Sequence, residues 1–320
     1  MPDFSNHPLN RSYDLDTALS TIWEFYKKWF YNLFVISFVF SLIITYVSRS
    51  VDISEIYSVT DPEEMMEILS SLIGPYALIG LFTFSFTLIL QYYLIIKPLE
   101  PENTVFSIGS NAIIKFFIPL MVLNIILAIV AVVSIMLGFF IFIVGAFFAF
   151  LYIMMLAAFI SPVLMIENNS IGDTINNSIK LAHKRFWPNI GWVAVFGILL
   201  VVVSFILNAL IMIPFGGSFM KAITNPENAG EVINISSRPS FIILHSLASA
   251  LTMPLFPIFS LVLYFNARSG AGSSISRDKR GNDKEGKVTI EDLYADPKKD
   301  RKKELNKKSD RGPTIEDLMP

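Results

Sequence analysis

Long apolar stretches without a charged residue, separated by short polar segments, dominate the chain. They occur at Phe30–Val47, Leu72–Ile96, Phe116–Leu137, Phe139–Ile166, Ile190–Ile213 and Phe241–Phe265. A helix needs about 20 apolar residues to cross the ~30 Å hydrocarbon core of a bilayer. The 51 residues from Phe116 to Ile166 are too many for one span, so we expect a turn within Ser134–Gly138. The pattern predicts an all-α integral membrane protein with six transmembrane helices.

The composition agrees with a membrane protein and removes several kinds of chemistry. The chain is 53% hydrophobic and 16% charged, whereas ordinary globular proteins carry about a quarter charged residues. It contains no cysteine, and its three histidines, His7, His183 and His245, lie far apart. This spacing matches no metal site, and no familiar catalytic motif stands in a supporting context. We therefore expect no cofactor, no metal and no enzymatic activity.

The distribution of Lys and Arg predicts the orientation of the chain. With six spans, residues 1–29, 97–115, 167–189 and 266–320 lie on the same side of the membrane. Together they hold 22 of the 25 Lys and Arg residues. Because cytoplasmic loops carry an excess of basic residues, we expect both termini in the cytoplasm. The sequence thus predicts a multi-pass protein of the cytoplasmic (inner) membrane.

A pattern of 15 residues precedes the first, third and fifth spans, at residues 16–30, 103–117 and 173–187. Each copy begins with Asp or Asn followed by Thr and ends with a basic residue and two aromatic residues. Apolar residues at helical spacing predict a short helix on the cytoplasmic leaflet, and the chain would be three repeats of interfacial helix plus transmembrane hairpin. The alternative is that spans acquire such anchors independently. The predicted interfacial anchors are Lys28, Trp29, Lys115, Phe116, Arg185, Phe186 and Trp187.

The region around the third copy carries a resemblance to a family. Residues Pro162–Gly191 read PVLMIENNSIGDTINNSIKLAHKRFWPNIG, in which Glu167 follows an apolar helix and Thr174, Ile175 and Ser178 lie in an amphipathic one. This segment resembles the membrane domain found beside some bacterial glycerophosphodiester phosphodiesterases and in related six-span proteins. The resemblance implies a membrane module of unknown role. The catalytic barrel of those fusions, with its His, Glu and Asp metal site, has no counterpart in this sequence.

Polar residues inside the predicted spans are few. No Asp, Glu, Lys or Arg lies there, and Asn124 and His245 are the candidates for an intramembrane site. Ionisable residues at membrane depth mark pumps and proton relays, so a proton-coupled transporter is disfavoured. Pro254 and Pro257 predict a kink in the last span. A cavity near this kink remains open as a hypothesis, against the alternative of ordinary hydrogen bonding between helices.

The C-terminal segment, residues 266–320, differs sharply in composition from the rest of the chain. It holds 14 basic and 11 acidic residues, and such a segment cannot bury enough apolar surface to fold alone. We therefore predict a disordered tail. The word TIEDL occurs in it twice, which indicates a pair of short motifs that dock into an apolar groove of a partner, unless the extension is a functionless duplication. The predicted docking residues are Ile290, Glu291, Asp292, Leu293, Ile315, Glu316, Asp317 and Leu318.

These observations favour a non-enzymatic polytopic membrane protein. It would act as a platform or accessory module that recruits a cytoplasmic protein through its tail. The alternative function is a transporter or lipid-handling protein for a neutral or amphipathic substrate. We expect membrane lipids and one cytoplasmic protein as partners and no nucleic acid. The oligomeric state and the substrate stay open.

Overall fold

A computed structural model describes residues 3–51, 61–140, 142–217, 235 and 238–282 of the protein. Within these ranges the chain is helical and contains no strand. Six candidate spans are long and apolar enough to cross a membrane, which confirms the predicted multi-pass, all-helical architecture. The α-helices are α1 (Leu15–Ser50), α2 (Pro62–Ile96), α3 (Val105–Phe140), α4 (Phe142–Glu167), α5 (Ile171–Lys184), α6 (Phe186–Met212), α7 (Pro239–Thr252) and α8 (Leu255–Asn282).

The prediction of three separate interfacial helices is wrong for two of the three copies. α1 and α3 each run unbroken for 36 residues, or about 54 Å at 1.5 Å per residue, through both the repeated pattern and the span that follows. Only the third copy forms a helix of its own, α5, which ends where Arg185 leaves the helical region at φ −135° and ψ 56°. Pro188 follows at once, and a proline cannot donate the backbone hydrogen bond that would join α5 to α6.

The turn predicted between the third and fourth spans lies within a helix of the structure. α3 continues to Phe140 and α4 begins at Phe142, so the predicted turn within Ser134–Gly138 is part of the helix. Gly138 has a different role, because a Cβ atom there would lie 2.7 Å from the backbone of Ala146. Absence of a side chain at Gly138 therefore lets α3 and α4 approach closely beside their turn.

The spans form a ring whose centre is filled by the last helix. α1 packs against α2 and α7, and α2, α3, α4, α6 and α7 follow around the ring, each beside the next. Within α8, every residue from 257 to 267 is buried. Successive residues of a helix point in all directions around its axis, so this part of α8 must be surrounded. It contacts α4 through a hydrogen bond from Ser260 Oγ to the Ala158 carbonyl (2.6 Å) and α6 through stacking of Phe259 on Phe196.

Burial is unevenly distributed along the spans. The buried residues of α2 begin at Phe86, and those of α4 begin at Leu151. In α3 they end at Leu123, apart from Gly138. All of these stretches lie toward one end of the bundle, where the N-terminal segment, the end of α2, the end of α4 and residues 264–268 of α8 meet. We call this end the N-terminal face; it contains most of the protein core.

The last span is interrupted at Met253 and Pro254, between α7 and α8, which confirms the predicted kink. α8 continues past the predicted end of the span at Phe265: Asn266 and Ala267 are buried, and the helix ends at Asn282. Contacts divide the chain into a unit from Met1 to Gly270 and a second unit from Ala271. Both TIEDL words, and with them the predicted disorder of the tail beyond 282, lie outside the described residues.

Candidate functional site

The N-terminal segment, residues 3–14, folds against the N-terminal face of the bundle. It begins with a short 3-10 helix, Phe4–Asn6, whose first turn is capped by Asp3: its Oδ1 accepts a hydrogen bond from the Ser5 amide at 2.9 Å. Further along, the side chains of Leu9 and Tyr13 are buried in the core. The Tyr13 amide donates to Oδ1 of Asn266 at 2.8 Å. The two ends of the membrane body are therefore joined directly.

His7 lies at the centre of this contact. Its ring stacks on Phe265 with 5.0 Å between ring centroids and is 3% exposed. Nδ1 accepts a hydrogen bond from the Leu9 amide at 3.2 Å, so the proton of the neutral ring is on Nε2, which lies 3.3 Å from the Leu94 carbonyl. Burial lowers the pKa of His7 from 6.5 to about 4, although the Leu94 carbonyl favours the charged form. His7 is thus neutral at pH 7.

Glu167, at the end of α4, collects hydrogen bonds from three parts of the chain. Its Oε2 accepts from Nδ2 of Asn169 at 2.8 Å and of Asn177 at 3.1 Å, and its Oε1 accepts from the Tyr264 hydroxyl at 3.0 Å. Arg268 forms an ion pair with Oε1 at 3.5 Å. The side chain of Glu167 is 19% exposed and that of Arg268 is 54% exposed. Glu167 therefore fixes α5 and α8 to α4, while Arg268 stays accessible.

A polar cavity of about 650 Å³ lies between the N-terminal segment and this cluster. It presents both signs of charge, so its lining suits a polar ligand that carries an anionic and a cationic group. The described residues include no group of three or more His, Asp or Glu that could hold a metal ion. The residues that shape the cavity include Asp3, Ser5, Asn10, Glu167, Phe265 and Arg268.

The predicted interfacial anchors differ in their surroundings. Lys28, Lys115 and Arg185 are exposed, and Trp187 is 70% exposed. Phe116 is instead 3% exposed and packs beside Tyr92, with 5.4 Å between ring centroids. The prediction that Phe116 anchors the chain in lipid is therefore wrong, because its side of α3 faces α2. The remaining two anchors, Trp29 and Phe186, are partly buried against the core.

The intramembrane candidates make hydrogen bonds within their own helices. Nδ2 of Asn124 donates to the Leu120 carbonyl at 2.8 Å. Nδ1 of His245 lies 3.3 Å from Oγ of Ser249, one turn away in α7. Neither residue lines the polar cavity described above. The predicted cavity around Asn124, His245 and Pro254 stays a prediction.

The residues that join the N-terminal segment to the bundle could not be recognised from the sequence. His7 entered only as a histidine without a metal-ligand partner, and Asn266 was assigned to the tail. Glu167 was part of a motif but had no assigned contact. A signal for Glu167 existed, since an acidic residue directly after an apolar span has few ways to be satisfied. For His7 and Asn266 no local pattern could reveal a contact between opposite ends of the chain.

No protein family, curated protein or solved structure matches the chain. The resemblance of residues Pro162–Gly191 to the phosphodiesterase-associated membrane domain therefore stays a prediction.

Proposed function

We propose that the chain is a non-enzymatic platform of the cytoplasmic membrane, with both termini in the cytoplasm, that recruits a cytoplasmic protein through its C-terminal tail. The observation that carries this proposal is the position of α8. Residues 257–267 form the best-buried stretch of the body, and the segment with the two TIEDL words follows the same helix in the sequence. The buried stretch therefore anchors the helix that precedes the tail in the membrane body.

The buried position of α8 among the other spans also favours a structural role over a channel. A path along the ring axis would need open space between the spans near the N-terminal face. α8 occupies this space with consecutive buried residues, among them Phe259 and Tyr264. In this conformation the centre of the ring serves packing. The distribution of basic residues supports the proposed orientation.

Matching burial supports the proposed threefold repeat. When the copies are aligned on their basic residue, the sixth and the tenth positions are buried in each of them. These positions are four residues apart and so lie on one face of a helix. Independent anchors at the membrane surface would not require the same buried face. The aligned residues are Thr21, Ile108 and Ser178 at the sixth position and Phe25, Ala112 and Ala182 at the tenth.

An affinity pull-down from detergent-solubilised native membranes tests the recruitment. The intact chain is compared with a variant in which Ile290, Leu293, Ile315 and Leu318 are replaced by Ala. A matched control replaces four apolar tail residues outside the words, Val288, Tyr294, Leu305 and Met319. We expect one protein to be recovered with the intact chain and the control but lost from the TIEDL variant. Equal recovery with all three chains would contradict the proposal.

A truncation separates the platform from its alternative, the transporter or lipid-handling protein. The cut belongs after Asn282, because removal of Asn266 and Arg268 would also release the N-terminal segment and Glu167. A platform loses its function with residues 283–320, whereas a lipid-handling body keeps its lipid exchange. The alternative is favoured by one observation: an apolar groove of about 150 Å³ lies between α3, α4 and α5.

A further inference from the structure

Three exposed basic side chains lie close together where α5 ends. Lys180 and Lys184 are four residues apart, so they share one face of the helix, and Arg185 follows at the junction with α6. The face of α5 that packs on the bundle lies on the other side and contains Thr174, Ser178 and Ala182. We call Lys180, Lys184 and Arg185 the basic cluster of α5; its side chains point away from the core.

Hydrogen bonds across the junction hold the basic cluster in place. The last four carbonyl groups of a helix have no partner within it. Two of those in α5, the carbonyls of Leu181 and Ala182, accept hydrogen bonds from Nδ2 of Asn189 in α6, at 3.2 and 3.1 Å. Asn189 is 2% exposed. The end of α5 is therefore tied to the first turn of α6, and the basic cluster has a defined position on the body.

The charge of this cluster is not balanced by nearby acidic residues. None of its three side chains forms an ion pair within the described ranges. The sequence has no Asp or Glu between Asp173 and Glu227, and Asp173 stands at the other end of α5, about 10 Å from Lys180 along the helix axis. The segments before the first and third spans differ, since residues 11–28 and 97–115 each contain as many acidic as basic residues. The third copy therefore presents a local excess of positive charge.

The position of the cluster in the chain favours a membrane lipid as its partner. Arg185 directly precedes the candidate span that begins at Phe186. Trp187, two residues further, is 70% exposed, and tryptophan is enriched where a membrane meets water. Long basic side chains at the end of a span extend to the level of the headgroups. Positive charge at this level complements the phosphate of a lipid that carries a net negative charge.

We propose that the basic cluster of α5 binds the headgroup of an anionic phospholipid. Lys180, Lys184 and Arg185 attract its phosphate, and Trp187 lies beside it at the membrane surface. The first two copies of the repeat lack this local excess of charge, so the site belongs to the third copy alone. This inference does not depend on recruitment through the tail, and the two proposals can fail separately.

Competition between two lipids tests the proposal. The full chain, purified in detergent, is exposed to equal amounts of dioleoyl phosphatidylglycerol and dioleoyl phosphatidylcholine. These lipids share their acyl chains and their phosphate, but only the first has a net negative charge. Native mass spectrometry measures the ratio in which they are retained. We expect the intact chain to prefer phosphatidylglycerol. Replacement of Lys180, Lys184 and Arg185 by Gln should lower this preference at least about tenfold, since each basic residue at an anionic surface strengthens the attraction about fivefold.

Two control variants separate a site on α5 from a general effect of charge. The first replaces Lys27, Lys28 and Lys115 by Gln, which removes the same charge from exposed positions of the first two copies. It should lower the preference less than about twofold, because these residues lie on other helices and salt screens charges beyond about 10 Å.

The second control exchanges Lys and Arg at the three positions of the basic cluster, which keeps the charge, and it should keep the preference of the intact chain. Equal losses in the two Gln variants would overturn the proposal. So would an intact chain without preference, or a loss of preference in the variant that keeps the charge.

Discussion

Acidification should release the N-terminal segment from the bundle through His7. The neutral ring is buried between Phe265 and the end of α2, and its Nδ1 already accepts the Leu9 amide. A second ring proton would have to occupy Nδ1, which would break this hydrogen bond and place a charge in the core. The segment can bind that proton freely only when it leaves the bundle. Docking and protonation of His7 therefore oppose each other.

The magnitude follows from the two pKa values. The pKa of His7 is about 4 in the docked segment and 6.5 in water, so the released state binds more protons between these values. The free energy of docking is most favourable above pH 6.5 and becomes less favourable as the pH falls toward 4. Linkage gives a loss of about 2 kcal/mol at pH 5, or roughly 30-fold in the docking equilibrium. Below pH 4 both states are protonated and His7 causes no further loss.

Thiol labelling measures the release, because the natural chain contains no cysteine. Leu9→Cys places a thiol at a buried position, and Asn10→Cys places one at an exposed position of the same segment. The ratio of their labelling rates cancels the pH dependence of the thiol itself. We expect the ratio to rise roughly 30-fold from pH 7.5 to pH 5 and to stay constant in a His7→Phe background. A constant ratio with His7 present, or an equal rise with Phe, would refute the role of His7.

Three further predictions concern packing and polar contacts, each read from unfolding or labelling in detergent. Glu167→Ala should lower the free energy of unfolding by about 2–4 kcal/mol, because it leaves several hydrogen-bond donors unpaired. Arg268→Ala should lower it by less than about 1 kcal/mol, because the ion pair of Arg268 is exposed. Equal losses of stability in the two variants would contradict this prediction. Gly138→Ala should destabilise the protein by about 1–3 kcal/mol, because the added methyl group would clash with the backbone of Ala146. Gly197→Ala should not destabilise it, because a Cβ atom at Gly197 has no neighbour within 4 Å. Asn266→Ala should raise the labelling rate of Leu9→Cys already at pH 7.5, since it removes the acceptor of the Tyr13 amide; an unchanged rate would argue against this contact.

The spans could be predicted because their cause is local. A helix in a bilayer must satisfy its own backbone hydrogen bonds and present an apolar surface over about 20 residues. Charge-free stretches such as Ile190–Ile213 therefore identify a span without any knowledge of its neighbours, and the kink near Pro254 follows from one residue type. The boundaries were less predictable: no residue between Lys28 and Phe30 or between Lys115 and Phe117 breaks a helix, so α1 and α3 simply continue.

The candidate site at the N-terminal face depends on contacts that a local pattern does not contain. Tyr13 and Asn266 are 253 residues apart in the sequence. His7 contacts Leu94 and Phe265 only when the helices have packed against one another. In sequence these residues are an ordinary polar segment and an ordinary span end. Glu167 shows the same limit, since its position after α4 was visible but its partners Asn177 and Tyr264 come from other helices.

The sequence by itself determined that the chain forms six apolar spans, where each lies, and which side carries the basic residues. Only the tertiary structure decided that α8, the second half of the last span, occupies the centre. The last span, with a mean hydropathy of 1.8, is the most buried, whereas α3, with 3.0, is mostly exposed. The physical reason is that lipid and protein core are equally apolar, so hydropathy cannot distinguish a side chain that faces one from a side chain that faces the other. Packing and a few hydrogen bonds, such as that from Ser260 to Ala158, make this choice.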